Sequence, residues 1–275
     1  MDIAPHPKFA ENRLVYFTYN KAGEQGATPA LGRGSFEGNQ LTGITDVFLA
    51  DAWAKTDNHS SRIAFAPDGT LYMSVSERSQ PEDAQNPNDH SGKVLRLRDD
   101  GTAPTDNPFI DRSGYRPEIF TYGHRNFHGT AIHPETGEVW THEHGDEVNI
   151  HRPGANYGWP YVGVGGAGGG VPIGNPPADL KLTAPYIALN PSVGVMGMMF
   201  YTGDRFPEWR GDLFIGGNRT LGISRFEIGE DGPGVREDLF TGFQRIRDVR
   251  MGQDGLIYFV VDGLSGAVMR IEPAE

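Results

Sequence analysis

The sequence predicts an all-β fold, and three observations point to it. Glycine accounts for 38 of the 275 residues and proline for 20, a balance typical of many short strands joined by tight turns. Apolar residues make up 37% of the chain and aromatic residues 11%, which is too much for a disordered polymer. Finally, one short unit recurs along the chain, in which a turn rich in Pro, Asp and Gly precedes an alternating apolar strand.

The recurring unit predicts how the strands are arranged. Its copies read HPKFAENRLVYFTY, APDGTLYMSV, HPETGEVWTHE, FPEWRGDLFIGG and GQDGLIYFVVD, and their aligned aromatic residues are Tyr16, Tyr72, Trp140, Phe214 and Tyr258. A constant unit at unequal intervals indicates one sheet per repeat, with insertions between sheets. A single sheet cannot bury both of its faces, so we expect radial stacking into one β-propeller domain over residues 1–275. A β-sandwich is the alternative, but it does not repeat one turn–strand signature at such spacings.

Charge and composition exclude several function classes. The net charge of -12 argues against nucleic acid and anionic membranes as partners. The chain has no cysteine, so disulfides and thiolate metal sites are excluded. Its first twenty residues lack the charged start and apolar stretch of a signal peptide, and no segment approaches the roughly 18 apolar residues of a membrane span. The Gly-rich residues 163–177 are predicted to form a long loop within the domain.

Polar residues that a sheet does not require stand within residues 122–160. They flank a strand–turn–strand pattern around a Pro-Glu-Thr-Gly turn, and they are Arg125, Asn126, His142, Glu143 and His144. If His142 and His144 share one strand face, a zinc site that also uses Glu143 or Asp146 is a weak alternative.

Arginines form a second unusual set. Arg245 and Arg247 alternate with Ile246, so both are expected to project from one face of a strand. Two adjacent guanidinium groups repel each other unless an anion lies between them, although pairing with a local acid such as Asp248 is equally open. Together with Arg125 and Arg219, they predict a small ligand with several negative charges.

His59 and Glu77 are candidates for proton transfer. His59 lies in the loop before a repeat strand, where a general base could reach a central channel, and Glu77 follows the same strand and could orient it. A solvated histidine and an exposed acid are the simpler interpretations.

Several segments together carry a resemblance to a known family. They read YGHRNFHG, HPETGEVW, EHG, DEVN, RPGANYGWP, GKVLRLRDDGTAPTDNPF, FYTGDRFPEWRGDLFIGG and QRIRDVR. In this order they resemble the soluble PQQ-dependent glucose/sorbosone (aldose sugar) dehydrogenases, over essentially the whole chain. The resemblance implies a six-bladed propeller of which about five blades are encoded here, with the N-terminal blade lacking. It also implies pyrroloquinoline quinone (PQQ) and calcium as cofactors, an aldose oxidised to its lactone, and an external electron acceptor. A periplasmic or secreted location follows from the family, and the protein would be a monomer or homodimer.

The resemblance assigns roles to individual residues. His59 matches the family's base, which takes the proton of the sugar hydroxyl while hydride passes to a quinone carbonyl carbon, and Glu77 matches the acid that supports it. Gly145 would offer its carbonyl to calcium, a Lewis acid on the quinone oxygen. The residues matching cofactor contacts are Arg125, Asn126, His144, Arg219, Arg245 and Arg247.

The chain departs from the family pattern at three places. The base loop reads His-Ser-Ser-Arg from His59, one residue shorter than in the family, and the loop from Glu143 to Glu147 is also shortened. Leu189 and Asn190 replace an aromatic–Asp pair that flanks the sugar. The alternatives to an active dehydrogenase are therefore an altered-substrate or non-catalytic propeller with an anion-binding channel, and a calcium-dependent lactonase-like hydrolase.

Overall fold

The predicted all-β class is confirmed by the structure. The computed structural model describes residues 1–55, 60–163, 174–229, 232–264 and 266–274. Within these ranges nineteen strands form five sheets, and helix is limited to the short α1 (Phe9–Asn12) and two single 3-10 turns, Pro81–Gln85 and Pro207–Trp209. No helix in this part of the chain is long and apolar enough to cross a membrane.

Each sheet is an antiparallel meander in which strands adjacent in sequence are adjacent in space, as in a propeller blade. The first sheet contains β1 (Ile3–Pro5), β2 (Leu14–Gly23), β3 (Gly26–Glu37) and β4 (Gln40–Leu49). The second contains β5 (Ile63–Phe65), β6 (Leu71–Val75), β7 (Lys93–Leu97) and β8 (Ile119–Tyr122). The third contains β9 (Phe127–Ile132), β10 (Val139–Glu143), β11 (Glu147–Ile150) and β12 (Ile187–Ala188). The fourth contains β13 (Val195–Phe200), β14 (Leu213–Gly217), β15 (Ile223–Gly229) and β16 (Gly232–Leu239). The fifth contains β17 (Ile246–Met251), β18 (Ile257–Val261) and β19 (Ala267–Ile271).

The sequence repeat coincides with the second strand of every sheet. Its aligned aromatic residues lie on β2, β6, β10, β14 and β18, in one sheet each. The prediction of one sheet per repeat, and with it the propeller class with about five blades, is therefore confirmed.

The turn that opens the repeat has a local physical cause. Before β6, Asp68 accepts hydrogen bonds from the Thr70 backbone N–H at 2.9 Å and from its hydroxyl at 2.6 Å, while Gly69 adopts a φ of 85°. The aspartate side chain replaces a backbone acceptor, and the glycine that follows it tolerates positive φ. Together they stabilise a tight turn of the chain. Asp254 and Gly255 repeat this arrangement before β18.

The chain divides into two compact units, each with its own core. The described part of the first unit comprises residues 1–55, 60–127, 151–163 and 174–184, and that of the second comprises 128–150, 185–229, 232–264 and 266–274. The first unit packs its two sheets around one apolar cluster that includes Tyr16, Leu71 and Leu95, all fully buried. The second unit holds two clusters, one around Trp140 and Ile215 and the other around Phe214 and Ile257.

The repeat aromatics provide a test of this packing. Phe214 is fully buried, whereas Tyr258, its equivalent on β18, is half-buried and donates a hydrogen bond to Asp254. We expect Phe214→Ala to lower the free energy of unfolding by about 3–5 kcal/mol because it leaves a cavity. Tyr258→Ala should cost roughly 1–2 kcal/mol. Urea denaturation of both variants measures the difference, and equal losses would contradict the assignment of Phe214 to the core.

Candidate active site

The first cluster of candidate residues surrounds the segment that links β8 to β9. The Arg125 carbonyl accepts a hydrogen bond from the Glu77 backbone N–H at 2.8 Å. The Phe127 N–H donates to the Ser76 hydroxyl at 3.3 Å, and the Ser60 hydroxyl donates to the Phe127 carbonyl. The backbone on both sides of Asn126 is therefore held by residues that follow β6 or precede β5.

The side chains of Arg125 and Asn126 are both half-buried and differ in how they are held. The Arg125 guanidinium lies over the Trp159 indole, 4.9 Å from the ring centroid, a cation–π arrangement. The Asn126 carbonyl oxygen accepts a hydrogen bond from the Ser76 hydroxyl at 2.7 Å. Its amide nitrogen makes no hydrogen bond to any residue that the structure describes, so two donors remain for a ligand.

Trp159 is itself fixed by backbone hydrogen bonds. Its N–H donates to the Gly123 carbonyl at 2.9 Å, and its carbonyl accepts from the Gln85 side chain at 2.7 Å. Gly123 has a φ of 77°, and a Cβ atom there would come within 2.1 Å of the side-chain amide oxygen of Asn156. Only glycine therefore permits the close approach that places Trp159 beside the Arg125 segment.

A buried histidine pair supports the same segment from the interior. His124 and His151 both contact the Thr121 hydroxyl, at 3.0 and 2.8 Å, and both stack or tilt against Tyr157. Burial keeps the pKa of each imidazole well below its usual value, so both rings are neutral at pH 7. We assign this pair a structural role in positioning Arg125.

Glu77 is buried, with 4% of its surface exposed, so the alternative of an exposed acid is wrong. Its carboxylate accepts a hydrogen bond from the Gln80 backbone N–H at 2.9 Å. Burial raises the pKa of the Glu77 carboxyl, and the Gln80 N–H and the Arg125 charge oppose this rise. A carboxyl of this kind is typical of functional sites as well as of structural networks.

His59 lies outside the described residues, as do its neighbours 56–58. The next residue, Ser60, belongs to the first cluster, since its carbonyl accepts a hydrogen bond from the Ser76 N–H at 3.2 Å and lies 3.1 Å from the Ser76 hydroxyl oxygen. The role of His59 stays a prediction.

The second cluster is built on the hairpin turn between β10 and β11. Glu143 and Glu147 face each other across the ladder, and three residues connect them. Gly145 has a φ of 114° and Asp146 a φ of 57°, which closes a three-residue loop. His144 lies in this loop, half-exposed, with its ring edge-to-face against His128 at 4.4 Å between centroids.

Asp146 ties the turn to the start of β13. Its carboxylate accepts hydrogen bonds from the Gly194 and Val195 backbone N–H groups at 3.2 and 3.3 Å. Just before this strand, the Val193 carbonyl accepts a hydrogen bond from the Arg219 backbone N–H at 3.0 Å. The Gly145 turn and Arg219 are thus brought to one edge of the second unit.

Arg245 and Arg247 also lie at that edge, but they are not on one regular strand face as the sequence alternation predicts. Arg245 precedes β17, and the ladder shifts register between Ile246 and Asp248, an irregularity at Arg247. Burial nevertheless alternates, because Arg245 and Arg247 are exposed and Ile246 is buried. One Arg247 nitrogen lies 3.7 Å from the sulfur of Met196 on β13.

Ion pairing separates the arginines into two kinds. Arg247 pairs with Asp262 at 2.7 Å, while Asp248, the predicted local partner, pairs with Arg250 at 3.3 Å. Arg219 and Arg245 are exposed, and neither makes a side-chain hydrogen bond or ion pair with the residues described here. Two cations of the second cluster are therefore available to an external anion.

The carboxylates near the turn already have partners, which bears on the metal predictions. The Asn149 amide donates to both Glu143 and Glu147 at 2.9 Å, and His142 is fully buried on β10 while His144 lies beyond the strand end. Over the described ranges, no three side chains of His, Cys, Asp or Glu are grouped to hold a metal ion. The zinc alternative gains no support from this geometry.

Known proteins resemble this chain in sequence and in fold. A sequence model of the family described as Glucose / Sorbosone dehydrogenase matches residues 1–270. The chain belongs to this family. It is 36% identical to aldose sugar dehydrogenase YliI of Escherichia coli (strain K12), over 99% of this chain and 76% of that protein. It is 27% identical to quinoprotein glucose dehydrogenase B of Acinetobacter calcoaceticus, over 80% of this chain and 51% of that protein. A solved glucose dehydrogenase structure superposes with a TM-score of 0.92 at 33% identity, covering all of this chain and 82% of that one. Membership of the glucose/sorbosone dehydrogenase family supports a general oxidoreductase role.

Sequence reasoning overlooked two residues of the first cluster. Ser76 was not singled out because a serine at a strand end carries no distinctive pattern, and its contacts with Ser60 and Asn126 join segments far apart in the chain. Trp159 belongs to the Ala-Asn-Tyr-Gly-Trp-Pro stretch, in which nothing local indicates that its ring lies against Arg125.

The raised pKa of Glu77 makes a prediction about stability. The folded protein holds this proton more tightly than the unfolded chain, so the free energy of unfolding falls as pH rises upward from the ordinary value of 4.5. We expect Glu77→Gln to flatten this fall relative to the wild type between about pH 4 and about pH 7. Urea denaturation across this range measures it, with Glu82→Gln, at an exposed acid nearby, as the control. Parallel curves for wild type and Glu77→Gln would contradict the assignment.

Proposed function

We propose that this protein is a PQQ-dependent dehydrogenase that oxidises the anomeric carbon of an aldose to a lactone. The observation that carries the proposal is that a chain of net charge -12 leaves Arg219 and Arg245 without a carboxylate partner among the described residues. PQQ is a planar tricarboxylate, and guanidinium groups bind carboxylates with charge and geometry together. The name of the Acinetobacter relative, a quinoprotein, supports the same cofactor.

The first cluster fits such a cofactor. Arg125 supplies a guanidinium whose plane is held on Trp159, and Asn126 supplies amide donors that no described residue uses. These groups would bind carboxylate or carbonyl oxygens of PQQ. Because their backbone is held on both sides, the donors are arranged before the ligand arrives, which reduces the entropy lost on binding.

The second cluster fits it for a different reason. Arg219 and Arg245 are cations without an ion pair among described residues, and Arg247 is held by Asp262. In the proposal the first two bind anionic groups of the cofactor, and Arg247 contributes charge while Asp262 fixes its side chain. His144 is half-exposed beside this edge and would contact the cofactor, as the resemblance implies.

Proton transfer is assigned to His59 and Glu77, as the resemblance implies. When bound, PQQ supplies the acceptor of the hydride that leaves the sugar's anomeric carbon. We assign to His59 the removal of the hydroxyl proton, and to Glu77 a buried carboxyl whose charge supports the protonated imidazole. Burial raises the pKa of the Glu77 carboxyl, while the Gln80 N–H and the Arg125 charge favour the ionised form that this role requires.

Calcium is a narrower part of the proposal. Oxygen atoms are the ligands that calcium prefers, and the Gly145 carbonyl is the protein group assigned to it. The nearby carboxylates of Glu143, Asp146 and Glu147 accept hydrogen bonds from protein groups, so they are not assigned as ligands. No step of the reaction is therefore derived through calcium.

An altered substrate is a second candidate, and one observation favours it. Leu189 stands where the family has an aromatic residue beside the sugar, and it is buried in the core cluster around Trp140 with 4% of its surface exposed. It therefore offers no flat face for a hexose ring to stack on. The preferred aldose, the external electron acceptor, a periplasmic or secreted location and a monomeric or homodimeric state stay predictions.

The function is tested by reconstitution. The purified chain should bind PQQ, seen as a shift in cofactor absorbance, and should then reduce an artificial electron-accepting dye when glucose or other aldoses are added. His59→Ala should abolish turnover and keep PQQ binding, and repeating the assay with calcium or a chelator tests the calcium assignment. Binding without turnover on any aldose favours a non-catalytic anion-binding propeller. No binding would overturn the proposal.

The arginine assignment makes a separate prediction. Arg245→Ala combined with Arg247→Ala should weaken PQQ binding by roughly 100-fold, because each charge-assisted hydrogen bond contributes about 1.5–3 kcal/mol. Arg270→Ala is a matched control, since Arg270 lies on the same sheet, is 51% exposed against 49% for Arg247, and is also ion-paired, with Glu272. Equal affinity of the double variant and the wild type would refute this pocket.

A further inference from the structure

Ser76 has no assigned role, yet its hydroxyl is the meeting point of the first cluster. It is fully buried immediately after β6. Its oxygen lies 2.7 Å from the Asn126 carbonyl oxygen, 3.1 Å from the Ser60 carbonyl, and 3.3 Å from the Phe127 nitrogen that donates to it. One hydroxyl thus contacts two segments that are distant from it in sequence, one at Ser60 and the other at Asn126 and Phe127.

The geometry at Ser76 shows which way the Asn126 amide faces. The single hydroxyl proton of Ser76 has two acceptors within reach, the Ser60 carbonyl and the side-chain carbonyl oxygen of Asn126. The shorter of its two contacts is to the Asn126 carbonyl oxygen, at 2.7 Å. The oxygen of the amide is therefore turned inward, and its NH₂ group is left as a donor that no described residue uses. With the opposite orientation, the side chain would offer an acceptor to its ligand instead.

We infer that Ser76 is a positioning residue that fixes the orientation of the Asn126 amide, so that this side chain donates hydrogen bonds to an anionic oxygen of the bound cofactor. The inference rests on the proposed function and deepens it. Arg125 contributes charge to the same ligand group, but charge alone does not distinguish a donor from an acceptor at position 126. Ser76 contributes that distinction without touching the ligand.

The chain offers a closely matched control. Ser74 lies two residues earlier, on β6 itself, and is equally buried. It also accepts a backbone hydrogen bond, from the Arg62 N–H at 2.9 Å, but no bond joins it to Asn126. Ser74→Ala and Ser76→Ala therefore each remove one buried hydroxyl, and only the second releases the Asn126 amide.

The experiment is a PQQ titration of the wild type and the variants Ser74→Ala, Ser76→Ala, Asn126→Ala and the double variant Ser76→Ala with Asn126→Ala. Ser76→Ala should raise the dissociation constant for PQQ roughly tenfold, and Ser74→Ala less than twofold. In the Asn126→Ala background, Ser76→Ala should have no further effect, since its action passes through that side chain. Thermal unfolding of each variant shows whether Ser74→Ala and Ser76→Ala lower stability alike, and Ser76→Cys, close in size but a weak donor, serves if Ser76→Ala does not fold.

Each result has one interpretation. A wild type that does not bind PQQ overturns the proposed function and this inference with it. Binding that Ser76→Ala weakens no more than Ser74→Ala, or weakens equally when Asn126 is already alanine, overturns the inference alone. The inference is supported if Ser76→Ala weakens PQQ binding more than Ser74→Ala does, and if adding Ser76→Ala to Asn126→Ala weakens binding no further.

Discussion

The structure depends on one constraint, which is that the second strands of three of its sheets are buried on both faces. All five residues of β6, of β10 and of β14 are buried, so none of these sheets is stable with one face in water. Each of these sheets must be covered on both sides, and the apolar clusters supply part of this cover. The fourth sheet contributes Phe214 to one cluster and Leu213 and Ile215 to another. A meander with short turns is the simplest connectivity that satisfies the requirement, because strands adjacent in sequence then pair at once.

The candidate site follows from where these strands end. Backbone groups lose their ladder partners there, and side chains such as Ser76 and Asp146 replace them. The same replacement fixes the loops that hold Arg125, Asn126 and Gly145. Stability and site geometry are therefore coupled, since the hydrogen bonds that complete the sheet ends also orient the groups assigned to the ligand.

Charge is distributed unevenly in a way that matters for the proposed cofactor. Several arginines form ion pairs, as Arg96 does with Asp68 and Asp106, at 2.9 and 3.0 Å. Arg219 and Arg245 do not, within the described part of the chain. These two exposed cations are the ones that the proposal assigns to anionic groups of the cofactor.

The fold and part of the site could be predicted from sequence because they depend on local patterns. The chain by itself determined the all-β class, the one-sheet-per-repeat organisation and the alternation of Arg245 and Arg247 with Ile246, since turn chemistry and strand alternation act between near neighbours. It could not indicate that Arg247 takes Asp262 instead of Asp248 as its partner, that Glu77 is buried, or that Ser76 orients Asn126. Those features were decided only by the tertiary structure, because each depends on which segments remote in sequence the packed sheets bring within hydrogen-bonding distance.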